Sequence, residues 1–430
     1  MAAKLPRALW PFRTPQYRIL AAALIASLLG AGTWIVALVF QVKDLGGTPI
    51  DLSFVATLNA LGLIASVLVA GVVADRIPQK WILLAVEATK AACFGVAAYL
   101  GLTGVVEVWH LAVLSLVLGI VDGFFYPAYS ALLPAILPAD ELLPANGIEG
   151  MLRPTIYQAL GPVLASLVIA AASPAMAFLL AGLLQLFAAA GLLWLRTTAV
   201  RRELVDRAGR HPVLTMVDDI REGVRYMVRT PWFLGTLLYA CLWVLVMLGP
   251  IEVLLPFAVT DQTGGGAGSY ALVLAAWGIG GALGSLVVAS FKLPRHYLSV
   301  MNLTWGFGTL PLVVIGFTNQ LWVMVIALFL VGISFAWGQV IWGTLLQRRV
   351  PPELLGRVSG LDFFVSLALM PISMALAGPV GEAVGFGWTF LVAGLVPALL
   401  GIAVVVIFRM RRDEIAHPLD EPPATQASGG

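Results

Sequence analysis

The chain has 430 residues, 60% of them apolar or aromatic and 11% charged, with a formal net charge of +2. An ordinary soluble domain carries about 25% charge, and a soluble fold of this length with so few charges would expose a large apolar area; the mean hydropathy of +0.95 agrees. Most soluble classes are therefore excluded, and a polytopic α-helical membrane protein is favoured. A membrane β-barrel is excluded too, because its strands alternate polar and apolar over about 10 residues.

In chain order, residues 1–18 form a polar, basic N-terminal segment. It leads into an uncleaved first span, because the apolar run behind it is longer than a signal-peptide core. Apolar runs follow at 19–42, 52–74, 81–103, 108–133, 142–172 and 175–195, then at 231–260, 269–291, 297–317, 320–346, 358–384 and 385–408. One transmembrane helix takes about 20 apolar residues, so these runs predict twelve spans. Only Ser173-Pro174 divides the fifth from the sixth, and Gly385, Gly387 and Trp388 mark the last turn. The predicted organisation is a six-helix bundle over 19–195, a linker over 196–230, a second six-helix bundle over 231–408 and a tail over 409–430 expected to be disordered.

The linker is rich in arginine, and Val213, Met216, Val217, Ile220, Val224 and Met227 recur in it at helical spacing. That pattern predicts an amphipathic helix, lying on the cytoplasmic surface with its arginines at anionic headgroups. With the N-terminus inside, 22 of the 25 lysines and arginines fall in inside segments and one, Lys43, in an outside loop. Basic residues stay on the cytoplasmic side. The expectation is a multi-pass protein of the inner or plasma membrane with both termini cytoplasmic.

Several chemistries have no support in the sequence. Cys93 and Cys241 lie inside separate apolar runs, which argues against a disulfide framework. The four histidines are scattered, so no metal site is expected. Gly264-Gly265-Gly266 carries no lysine and is no phosphate loop, so no ATP-binding site is expected. The reading is therefore of a protein that is not an enzyme, has no cofactor and no nucleic-acid partner, and has the lipid bilayer as a partner.

The two halves repeat. Arg13-Thr14-Pro15 before the first span recurs as Arg229-Thr230-Pro231 before the seventh. At an offset of 213, Gly71 falls on Gly284, Gly119-Ile120 on Gly332-Ile333, Leu132-Leu133 on Leu345-Leu346, Pro138 on Pro351 and Glu149 on Asp362. Parallel repeats of six spans build one transporter class, with the substrate site between the halves.

The stretch Gly71-Val72-Val73-Ala74-Asp75-Arg76-Ile77-Pro78-Gln79-Lys80 resembles the loop signature of the major facilitator superfamily, with Pro78 in place of a usual glycine and Gln79 in place of a usual basic residue. Asp122-Gly123-Phe124-Phe125-Tyr126-Pro127-Ala128, with Leu133-Pro134 and Ala145-Asn146 after it, is similar to the drug–proton antiporter branch that includes macrolide and enterobactin exporters. So is Gln347-Arg348-Arg349-Val350-Pro351 with Gly356-Arg357-Val358. The resemblance implies an all-α polytopic membrane protein, twelve transmembrane helices in two six-helix bundles, with spans 1, 4, 7 and 10 around a central cavity. It also implies a gate built on Gly71, Asp75, Arg76 and Lys80, with Arg357 and Asp362 opposite. The chain departs from the family's fifth-span antiporter motif: Gly161-Pro162 is present, but Tyr157, Ala165 and Ser166 replace glycines, and the fourth span lacks an arginine.

A charge at mid-membrane costs at least ~2.5 kcal/mol, so each must be paired, face water or carry function. Glu87 and Lys90 share a helix face at i, i+3 and read as a structural ion pair. Glu149 and Arg153, at i, i+4, read as a structural or gating pair and as candidates for proton coupling. Asp122 has no basic neighbour on its own helix and shares a face with Tyr126 and Tyr129; it is the leading proton-coupling candidate, with an ion pair to Lys90 or Arg153 as the alternative. Glu252 stands between Pro250 and Pro256 near the outer end of its span, and Asp362 reads as a helix-start carboxylate stabilised by the dipole. Trp34, Tyr239, Trp243, Trp337, Gln339 and Trp342 are candidates, with Asp122, Tyr126 and Glu252, for an apolar, polarisable pocket suited to bulky amphiphiles. The sequence thus reads as a secondary active transporter exporting a small amphiphilic molecule, drug-like or siderophore-like, by alternating access in exchange for protons. A lipid or metabolite carrier or uncoupled facilitator is the alternative within the class, and a non-transporting membrane sensor or assembly partner the alternative outside it.

Overall fold

A computed structural model describes residues 7–74, 77–196, 212–291, 293–351 and 354–419. Span 1 is Pro15–Asp44, span 2 Pro49–Ala74, span 3 Gln79–Thr103 and span 4 Val108–Ile136. Span 5 is built from Ala139–Leu152, a π-helical turn Arg153–Leu160 and Gly161–Ala171; span 6 is Pro174–Leu193. The linker helix, Pro212–Arg229, precedes span 7, which runs Pro231–Gly249, through a π-helical turn Pro250–Leu254, to Leu255–Thr263. Span 8 is Ala267–Ala289, span 9 Tyr297–Phe307 with Leu312–Ile315, and span 10 Leu321–Arg349.

Leu355–Leu367 and Met370–Ile407 complete the set, the latter interrupted at Gly385, whose φ of 81° lies in the left-handed region where a residue without Cβ is at no steric cost. The chain reverses there. Ser373 meets Gly249 before the break, whereas Gly394 packs on Thr309, Pro397 on Tyr239 and Phe408 on Gly235 after it. Spans 11 and 12 are the two arms.

The packing obeys the repeat. Span 2 packs on span 4 as span 8 packs on span 10, span 3 on span 6 as span 9 on span 12, and span 1 on span 5 as span 7 on span 11. Gly119 and Gly332, equivalent at the 213-residue offset, do the same job in each half. A Cβ at Gly119 would stand 2.0 Å from the Asn59 carbonyl oxygen, and one at Gly332 would stand 2.3 Å from that of Trp277. Bare backbone lets these helices touch, as small residues do in membrane bundles generally. The two bundles meet along spans 2 and 11 and along spans 5 and 8, two seams that the repeat interchanges.

The tail is not structureless from residue 409 onward. Met410–Ala416 is a helix, and its Glu414, with the side chain wholly buried, accepts from the backbone N–H groups of Leu298 (3.0 Å) and Ser299 (3.1 Å) and from Ser299 Oγ (2.8 Å). It thereby caps the start of span 9 from outside that helix. The linker helix docks on the second bundle through an Arg357–Glu222 ion pair and a Tyr226–Phe233 ring contact.

Candidate functional site

Both π-helical turns begin at or beside a proline, Pro154 and Pro250. Proline has no N–H to give and its ring clashes with the preceding turn, so the helix widens; such turns gather at functional positions. One carries Arg153 and Tyr157, the other Glu252. Glu252 is reached by solvent yet ringed by protein, within electrostatic range of Tyr157 and Tyr270. Tyr157 in turn lies within range of Asp122 and Arg153. These side chains come from both bundles and lie within electrostatic range of one another.

Asp122 and Tyr126 of span 4 are exposed. Asp122 Oδ1 lies 2.5 Å from Lys90 Nζ, a lysine otherwise buried and set 5.3 Å from the Phe125 ring. Arg153 bonds Glu149 Oε1 at 3.3 Å, the i, i+4 pairing, and lies 5.8 Å from the centroid of the Tyr126 ring. Gln339 of span 10 is exposed and Trp337 partly buried.

The two halves are joined at one end. Lys43, in the last turn of span 1, pairs with Asp261 at 3.3 Å, bonds Thr260, and lies 4.6 Å from the Phe257 ring centroid, all on span 7. Ser53 Oγ accepts from the Gly378 backbone at 2.6 Å, joining span 2 to span 11. This joined face lies opposite the one bearing Arg196, Arg229, Arg295, Arg348 and Arg409.

Several sequence expectations are corrected. Lys90 pairs across to Asp122 and not along its own helix to Glu87, which instead accepts from Ser27 Oγ at 2.8 Å. Tyr129 does not share the Asp122 face; it is buried and stacked on Phe125 at 6.0 Å. Trp34 is no cavity wall: it stacks on Phe94 at 4.7 Å inside the first bundle. Tyr239, Trp243 and Trp342 are likewise core. Tyr239 donates to the Pro397 carbonyl (3.2 Å), Trp243 to that of Trp305 (3.3 Å) and Trp342 to Asp362 (2.9 Å). Asp362 is therefore held by a neighbouring helix and sits a second turn into its own, not at its start. Lys80, placed at the gate by resemblance, donates to the carbonyls of Leu193 and Leu195 at the end of span 6, where a cation suits the dipole. Asp75 and Arg76 lie outside the described residues; Gly71 lies in span 2 and Arg357 on the linker-helix contact.

Sequence reasoning missed Ser27 and Tyr270 as partners of charged groups. Ser27 gave no signal in an apolar run. Tyr157 had one, as a bulky residue in place of a glycine.

The profile of a family described as transmembrane secretion effectors matches residues 7–426. The chain belongs to this family. It is a transporter of the major facilitator superfamily, in the branch of the drug exporters. Among its relatives is the multidrug efflux pump Tap of Mycolicibacterium fortuitum, 29% identical over 94% of this chain and 98% of that protein. The Tap pump of Mycobacterium tuberculosis is 29% identical over 95% and 97%, and macrolide efflux protein A of Streptococcus pyogenes is 22% identical over 90% and 94%. The crystal structure of a point mutant of the nucleoside transporter NupG superposes with a TM-score of 0.72 at 14% identity, over 91% of this chain and all of that one; at that identity it speaks for the fold alone.

Proposed function

We propose that this chain exports a small amphiphilic, drug-like molecule from the cytoplasm by alternating access, in exchange for protons. The observation that carries the reading is the cluster of polar side chains where the bundles meet, Asp122 and Arg153 from one and Glu252 from the other, with the halves joined at the end away from the basic residues. Basic residues mark the cytoplasmic side, which supports an inward-facing arrangement with both chain ends in the cytoplasm. The relatives named as efflux pumps support the direction and the class of cargo.

Asp122 is the group through which exchange is argued. It stands exposed beside the Lys90 ammonium, and opening to opposite sides changes which solution reaches it. A cationic amphiphile entering from the cytoplasm favours the carboxylate and displaces the proton. One proton crossing 100 mV supplies about 2.3 kcal/mol, enough for roughly a fifty-fold gradient of cargo.

The test is transport by the full chain in proteoliposomes, using ethidium and a macrolide with and without an imposed pH gradient. Uphill movement that appears only with the gradient is the expected result. Movement of neither compound, or uphill movement indifferent to the gradient and to membrane potential, overturns the reading.

A further inference from the structure

Away from the ends of its membrane-spanning helices, the first bundle holds five charged groups among the described residues: Glu87, Lys90, Asp122, Glu149 and Arg153. Two are cations and three are carboxylates. Lys90 is committed to Asp122 at 2.5 Å and Arg153 to Glu149 at 3.3 Å. Glu87 is the carboxyl left without a cation of its own. It is also the most deeply enclosed of the five, with 1% of its surface exposed. An ionised carboxylate so placed is costly unless paired.

The two oxygens of Glu87 are not equivalent. Oε1 accepts from Ser27 Oγ of span 1, while Oε2 is buried with no hydrogen-bond partner among the described residues. Glu87 lines a small cavity with Ser27, Leu83, Phe125 and Tyr129. Around it stand Ser27 from span 1, Lys90 from its own helix, and Asp122 and Tyr129 from span 4, with Arg153 and Glu149 of span 5 beyond.

From this count and geometry we infer that Glu87 is a proton-binding site, held as a neutral carboxylic acid with the proton on Oε2, and that it shares one proton with Asp122. Lys90 is three residues from Glu87 on one helix face and lies within range of both carboxyls. Passage of the proton from Glu87 to Asp122, with the Lys90 ammonium swinging from Asp122 to Glu87, leaves one acid, one carboxylate and one ammonium, as before. The buried bundle thus holds its charge constant while the exposed carboxyl changes state. The inference that this proton is the transported one rests on the antiport reading above; its presence on Glu87 does not.

The experiment is infrared spectroscopy of the full chain in lipid vesicles, following the C=O stretch of protonated carboxyls in H2O and D2O at neutral pH, in a Glu252→Gln background. A band is expected that shifts when glutamate carboxyls carry carbon-13, stays when aspartate carboxyls do, and is absent from Glu87→Gln. The isotope measurement needs no change at position 87, so a misfolded E87Q leaves the test intact. A band that follows the aspartate label, survives E87Q, or is missing altogether overturns the assignment. A glutamate band lost in E87Q, in a protein whose export ignores the pH gradient, leaves the site standing and removes the antiport reading.

Discussion

Asp122 and Lys90 show how a single side chain acquires meaning from one neighbour. In the sequence Asp122 is a lone carboxyl in an apolar run; in the fold it is the solvent-facing half of a pair whose other half is buried. We expect Asp122→Asn to fold and insert but to lose gradient-driven export by tenfold or more, while downhill cargo exchange persists, because exchange needs no net proton movement. Paired uptake measurements with and without a pH gradient check this, and unchanged uphill export would move the coupling role away from span 4. Glu414 is legible only in three dimensions. Its carboxylate replaces the missing turn at the start of span 9, and Glu414→Gln, which leaves an amide nitrogen facing backbone donors, should cost about 1–3 kcal/mol, read as a lower melting temperature in detergent.

Among elements, the repeat is the feature that sequence and structure share most closely. Gly119 and Gly332 were visible as matching positions, and the structure supplies the reason: each is a crossing point where a neighbouring backbone carbonyl occupies the space of a Cβ. Gly119→Ala should therefore separate spans 2 and 4 and destabilise by about 1–3 kcal/mol. Gly343, with nothing within 4 Å of a Cβ, is the matched control, and Gly343→Ala should melt like the parent. The aromatic spans were less legible. Trp34, Tyr239 and Trp342 lie on the helices that line the cavity of such folds, but on an almost wholly apolar helix the spacing of residues does not say which face looks to cavity, core or lipid. All three went to the core, where Tyr and Trp polar atoms find buried carbonyls or a carboxylate.

At the scale of the whole molecule, spans 1 and 7 are joined through Lys43, Thr260 and Asp261, and spans 2 and 11 through Ser53 and Gly378, at the face opposite the basic residues. The Lys43–Asp261 pair is half exposed, so its contribution is about 0.2–1 kcal/mol. In an equilibrium between two nearly balanced states that is up to several-fold in population. Lys43→Gln should accordingly shift the distance distribution between spin labels at Asp44→Cys and Gly268→Cys, in a chain lacking Cys93 and Cys241, toward longer values. An unchanged distribution would show that the latch carries none of the closing energy.

The sequence by itself determined the solvent, the number of spans, the repeat and the charged residues that interrupt the apolar runs. Each of these follows from the cost of placing charge and backbone in lipid, which is paid residue by residue and is written in composition and spacing. It also supplied the Glu149–Arg153 pair, because a four-residue separation on one helix fixes proximity without any knowledge of neighbours. The tertiary structure alone decided that Lys90 serves Asp122 instead of Glu87, that Glu87 turns to Ser27 of span 1, and that Glu252 looks across to Tyr157 and Tyr270. Those choices depend on how far each helix is rotated and on where Pro154 and Pro250 widen a turn, and they are settled by packing between helices distant in the chain. A carboxyl three residues from a lysine is equally able to pair with it or to be passed over; which occurs is decided by what the next helix offers.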